Sequence, residues 1–158
     1  MKRVVMVLLM ATVGNDVASA YSLDALYKQL GSLNAKSVTL FMDACFSGAR
    51  CGDGMLVSAR SVAIKVKAEQ PIGNMVVFSA AQGDETAYPY AEKGHGLFTY
   101  YLLKKLKDTK GDVDYGMLGE YIRKEVTRKS AVVNNKPQTP SVSFSPQMSD
   151  SWNNLKLR

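Results

Sequence analysis

Asp43 and Cys45, two positions apart in FMDACFSGAR (residues 41–50), are the residues whose types and spacing first suggest chemistry. A cysteine just past an apolar run is a candidate thiolate nucleophile, although a free cysteine also packs well as a small buried residue. A thiol is only a few per cent ionised near neutrality, so a nucleophilic one needs an activating base, usually histidine. The sequence holds one histidine, His95, fifty positions after the cysteine (95 − 45).

The elements around these residues are readable. Ser37–Met42 is short, apolar on both faces and β-rich, as expected of a parallel strand covered on both sides. Cys45 then follows the C-terminal end of a central strand, the sheet edge where open α/β folds bind ligands. Asn74–Ala80 reads as a second buried strand, and the loop Gln82–Thr86 leaves it at the same edge. Ser22 is a plausible N-cap for a helix whose face carries Leu23, Leu26, Tyr27 and Leu30 and which Gly31 closes. A helix from Gly96 presents Leu97, Phe98, Tyr101, Leu102 and Leu106 inward and Lys104, Lys105 and Lys107 outward, and Lys110-Gly111-Asp112 breaks it. Another runs from about Tyr115 to Lys129 on Leu118, Ile122 and Val126. Between Gly48 and Pro71 the sequence reads as a long surface loop with a short strand at Val62–Val66. The prolines at 137, 140 and 146 leave room for no more than a short edge strand near the end. Strands alternating with helices, without an internal repeat, make this an α/β protein.

Composition narrows the function classes. The 158 residues are 46% hydrophobic and 22% charged, the balance of one globular domain. A net charge of +6 is spread over helices and loops, with no basic stripe interleaved with aromatics, so no nucleic-acid partner is expected. Two cysteines, Cys45 and Cys51, form no disulfide framework, and one histidine without a CxxC pair makes a zinc site unexpected. Residues 1–20 carry a basic start, an apolar run and an A-S-A ending, the outline of a signal peptide, yet Gly14-Asn15-Asp16 reads as a turn. The apolar run Val4–Val13 is too short for a membrane span. A buried strand over Arg3–Met10 is the preferred reading, and a cytoplasmic location is favoured slightly over a secreted one.

Three blocks in order, DACFSG after an apolar strand, VVFSAAQGDETAY and GLFTYYLLKKL, resemble the caspase-like cysteine peptidases of bacterial and metacaspase type. The resemblance runs from about Tyr21 to about Pro140. It implies a partial caspase-like sandwich, a mainly parallel sheet with helices on both faces. The expected division is a strand remnant or signal-like segment at 1–20, the C-terminal portion of a caspase-like domain at 21–145 and a polar tail at 146–158. By resemblance Cys45 is the catalytic thiolate that attacks a peptide carbonyl. Asp43 would lie beneath the pocket for the side chain before the cut, where a buried carboxylate selects arginine or lysine; alternatively it caps amides of the Cys45 loop. Asp84 is a second acidic candidate and Ser79 a candidate pocket residue. A protein or peptide substrate is implied, with no cofactor. Calcium acts on metacaspase-like relatives, but no acidic loop with ligand spacing is present here.

The family's histidine precedes its cysteine by about fifty residues, which falls before Met1. His95 belongs to a different block, so it is expected to be a turn residue near a helix start and not hydrogen-bonded to Cys45. The chain therefore reads as the C-terminal two-thirds of a caspase-like domain, with the histidine, the first strands and one oxyanion-hole amide expected upstream. Without those strands, the strand ending at Asp43 would show a bare edge, which Arg3–Met10 is expected to cover through a βαβ unit. Two functions follow: a cysteine endopeptidase cutting after basic residues, or a non-catalytic caspase-like module that binds or regulates partners.

Overall fold

The structure is a computed structural model that describes residues 4–10, 23–43, 70–83 and 85–157. The elements are β1 (Val4–Met10), α1 (Leu23–Gly31), β2 (Ser37–Asp43), β3 (Met75–Ser79), β4 (Pro89–Tyr90), β5 (His95–Gly96), α2 (Leu97–Thr109), α3 (Tyr115–Val133) and β6 (Ser141–Phe144). Ser22, Cys45, Asp84, the turn at residues 14–16 and nearly all of the 48–71 stretch, with its expected strand at 62–66, lie outside the described residues.

The main sheet has the order β1-β2-β3-β6. β1, β2 and β3 run parallel, and β6 joins β3 antiparallel as an edge strand, the place the prolines around it allow. β1 covers the outer side of β2 along its whole length, Val4 opposite Ser37 and Met10 opposite Asp43, so the edge expected to need a cover has one.

β2 is the buried centre. Alternation along it feeds two separate cores. Val38, Leu40 and Met42 join Met75 and Val77 against Tyr27, Leu23, Leu26 and Leu30 of α1. Phe41 joins Val76 and Phe78 against α2 and α3, through Leu97, Phe98, Leu102, Leu118, Ile122 and Val126. Phe41 stacks on Phe78 at 4.9 Å between ring centroids, and Phe78 meets Tyr115 edge-on at 5.4 Å. Helices thus cover both faces of a mostly parallel sheet, the arrangement that a strand apolar on both sides requires. One polar pair lies inside this core: Thr39, fully buried on β2, shares a 2.5 Å hydrogen bond with the Tyr115 hydroxyl.

The first two helices end as the sequence suggests. Gly31 is the last residue of α1, and α2 stops at Thr109 with Lys110 in the left-handed conformation. α3 runs four residues beyond the expected Lys129, to Val133. The segment expected as a polar tail packs against the body of the protein. Met148 is buried, Trp152 stacks on Phe144 at 5.1 Å, and the Leu155 carbonyl accepts the Tyr115 N–H at the start of α3. Met148 and Trp152, set among polar residues, supply that contact with their side chains. Among the described residues no helix is long and apolar enough to cross a membrane.

Candidate active site

β2 ends at Asp43 and β3 at Ser79, and the parallel register sets Met42 beside Ser79, so both strands deliver their last residues to one sheet edge. Alternation separates the two side chains. Asp43 follows Thr39 and Phe41 onto the α2–α3 face, whereas Ser79 follows Met75 and Val77 onto the α1 face.

Asp43 meets the start of α2. Its Oδ2 accepts the Thr99 hydroxyl at 2.6 Å and the Thr99 backbone N–H at 3.3 Å. The first N–H groups of a helix lack intrahelical partners, and the end that carries them attracts negative charge. α2 begins after Gly96, which has no side chain to cap it. The carboxylate that ends β2 performs that role from another element, while the Tyr88 carbonyl accepts the Leu97 N–H at 3.0 Å.

Gly96 is required here for space, because its φ of −65° is open to any residue. A Cβ at this position would overlap Asp43 Oδ2 and stand 3.0 Å from Cγ. Thr99 itself is 1% exposed. Burial pushes the Asp43 carboxyl above its ordinary range, and the two Thr99 donors only partly offset it. Oδ1 carries no hydrogen bond from any described residue. A partly exposed carboxylate with no countercharge among the described residues can accept a cation or a hydrogen-bond donor.

Of the residues singled out in the sequence, Asp43 and Ser79 reach this edge, while Cys45 and Asp84 lie outside the described residues. His95 is exposed on β5, paired with Tyr90 across a two-residue ladder and adjacent to Gly96. Its relation to Cys45 falls outside the described residues for the same reason.

Sequence reasoning missed the residues that hold the edge in place. Thr99 was legible as a polar residue within the apolar face Leu97, Phe98, Tyr101 and Leu102, in the first turn where side chains meet helix-terminal partners. Gln138, fully buried, was hidden between Pro137 and Pro140. It donates to the Ala80 carbonyl at 3.0 Å, accepts the Tyr88 N–H at 2.9 Å and is bonded through its own N–H to the Ser130 hydroxyl. Glu85 accepts the Thr139 N–H and hydroxyl, the latter at 2.9 Å. The loop that leaves β3 is therefore fastened to the segment that enters β6.

A family model described as the caspase domain matches residues 7–149. Among solved structures, a crystal structure of caspase-1 from Spodoptera frugiperda is similar with a TM-score of 0.52 at 19% identity, covering 78% of this chain and 52% of that one. A structure of pro-sf-caspase-1 has a TM-score of 0.49 at 13% identity, covering 89% and 60%. The chain thus spans little more than half the length of these structures, and its likeness to the first is one of fold. No curated protein matches it at a significant level. With the family model matching most of its residues, the chain belongs to the caspase domain family.

Proposed function

We propose that this chain carries the nucleophile and the specificity pocket of a cysteine endopeptidase that cuts after arginine or lysine. The observation that carries the reading is Asp43, a carboxylate at the C-terminal edge of β2, buried enough to be raised in pKa and with one oxygen unpartnered among the described residues. Such a group gains most from a cationic side chain, which supplies both the countercharge and the missing donor. Cys45, two residues on, is assigned the thiolate that attacks the carbonyl after that side chain. Attack forms the carbon–sulfur bond, the amine leaves with a proton from the base, and water then hydrolyses the thioester. Ser79 and Asp84 are assigned to the rim of the same edge.

The base is assigned to a histidine outside these 158 residues, because His95 follows the cysteine whereas the family's histidine precedes it. The 158 residues alone should then be slow by the factor that a general base supplies, ~10²–10⁴. A non-catalytic module is the second reading, and the exposure of His95 on β5 is the observation that favours it.

The test measures cleavage of peptides with Arg, Lys or Asp before the cut, by protein preceded by a histidine-bearing segment. Activity on Arg and Lys peptides, lost in Cys45→Ala and in Asp43→Ala, is the expected result. Autoproteolysis is expected within the 48–71 stretch, first after Arg60, which Ser58, Ala59 and Ser61 surround with small side chains. Cleavage that survives Cys45→Ala removes the nucleophile, and preference for Asp peptides removes the basic pocket.

A further inference from the structure

We infer that Thr99 is the positioning residue of the Asp43 carboxylate: it holds Oδ2 with two donors and leaves Oδ1, which no described residue contacts by a hydrogen bond, as the oxygen offered to a cationic side chain. The inference rests on the reading of Asp43 as the pocket carboxylate. It extends that reading from charge to geometry.

A carboxylate oxygen has two lone-pair sites, four for the group. Both sites of Oδ2 are spent on Thr99, one on the hydroxyl at 2.6 Å and one on the N–H at 3.3 Å. An arginine fork gains its advantage over lysine by placing one N–H on each oxygen. That geometry is closed while the Thr99 hydroxyl is in place, so among the described residues guanidinium and ammonium meet the same acceptor, Oδ1. Thr99 is well suited to hold it. The residue is almost fully buried, its N–H belongs to the first turn of α2, and Gly96 opposite leaves the space that the carboxylate fills. Burial and the two Thr99 bonds are the influences acting on the carboxyl, and no charged side chain among the described residues enters them.

Two measurements test this on the full chain. In the first, the Asp43 carboxyl carbon is followed by NMR against pH in wild type, Thr99→Val and Thr99→Ser. Thr99→Val keeps the backbone N–H and loses the hydroxyl, the shorter of the two donors that favour the charged form, so the midpoint should rise, and Thr99→Ser should restore the wild-type value. A Thr99→Val midpoint equal to wild type, or a Thr99→Ser midpoint equal to Thr99→Val, overturns the positioning role. Should Thr99→Val not fold, Thr99→Ala makes the same comparison.

In the second, N-acetyl-arginine methylamide and N-acetyl-lysine methylamide are titrated by chemical shift. Wild type should bind the two within about threefold of each other. Thr99→Val should favour the arginine probe by about tenfold, the value of one charge-assisted bond. A ratio unmoved by Thr99→Val overturns the specificity role. Wild type that takes neither probe, or Asp43→Asn that takes both unchanged, overturns the pocket reading and the specificity role with it. The carboxyl titration then decides the Thr99 contact by itself.

Discussion

Asp43 is raised in pKa first by burial, and that sets the sign of its effect on stability. The folded carboxyl holds its proton at pH values where the unfolded one, near the ordinary value of 3.8, has released it. Through that window the native state binds more protons than the unfolded chain, so stability falls as pH rises and stays lower above it. Asn at this position keeps an oxygen for the Thr99 donors but has no charge to bury. Asp43→Asn is therefore expected to melt a few degrees higher than wild type at pH 7, at about 2–4 °C per kcal/mol for a domain near this size. The two curves should converge when melting is followed below pH 3.8. Equal melting temperatures at pH 7 would refute the buried-charge account. A higher melting temperature for Asp43→Asn would show that the buried charge weakens the fold at neutral pH.

At the scale of elements, the start of α2 is where the separate segments meet. β2 reaches it through Asp43, and the loop after β3 reaches it through the Tyr88 carbonyl on Leu97. Gln138, just before β6, grips the same loop from the other side at Ala80 and Tyr88. Removing its side chain leaves the buried Ala80 carbonyl unpaired, at a cost of about 1–3 kcal/mol, and frees the half-buried Tyr88 N–H at a smaller one. Gln138→Ala should lose roughly 2–4 kcal/mol in denaturant titrations, at the upper end of ordinary substitutions. Hydrogen exchange should quicken at the Tyr88 amide well before it does in β2. Unchanged exchange at Tyr88 would place the loop's anchorage elsewhere, with the Glu85–Thr139 pair as one further tie. Because the loop carries Asp84, its anchorage bears on any role of that residue at the site.

On the scale of the whole molecule, a central sheet separates two apolar layers, and the Thr39–Tyr115 bond is the polar contact that joins β2 to the first residue of α3. Thr39→Val or Tyr115→Phe alone strands a buried hydroxyl and should cost about 1–3 kcal/mol. The double variant should recover most of the loss, since two apolar groups of the same shape then face each other. Additive losses in a urea double-mutant cycle would show that the two hydroxyls do not depend on each other. The sequence by itself determined the layers of this molecule. Ser37–Met42 and Asn74–Ala80 are apolar on both faces, which only helices on both sides can cover, and the helical faces at Leu97–Leu106 and Leu118–Val126 are periodic enough to be read directly. Asp43 and Cys45 stood out because their types and spacing are local. Only the tertiary structure decided what those residues face. The side of the sheet to which Asp43 points depends on pairing with distant strands, and its partner Thr99 lies 56 positions away. Gln138 lies 58 positions from Ala80, and Trp152 packs on Phe144 from a stretch that composition marked as a polar tail. Hydrophobic period records how a segment is buried, but a hydrogen bond between distant segments leaves no period, so the residues that hold the site are the ones one-dimensional reading passes over.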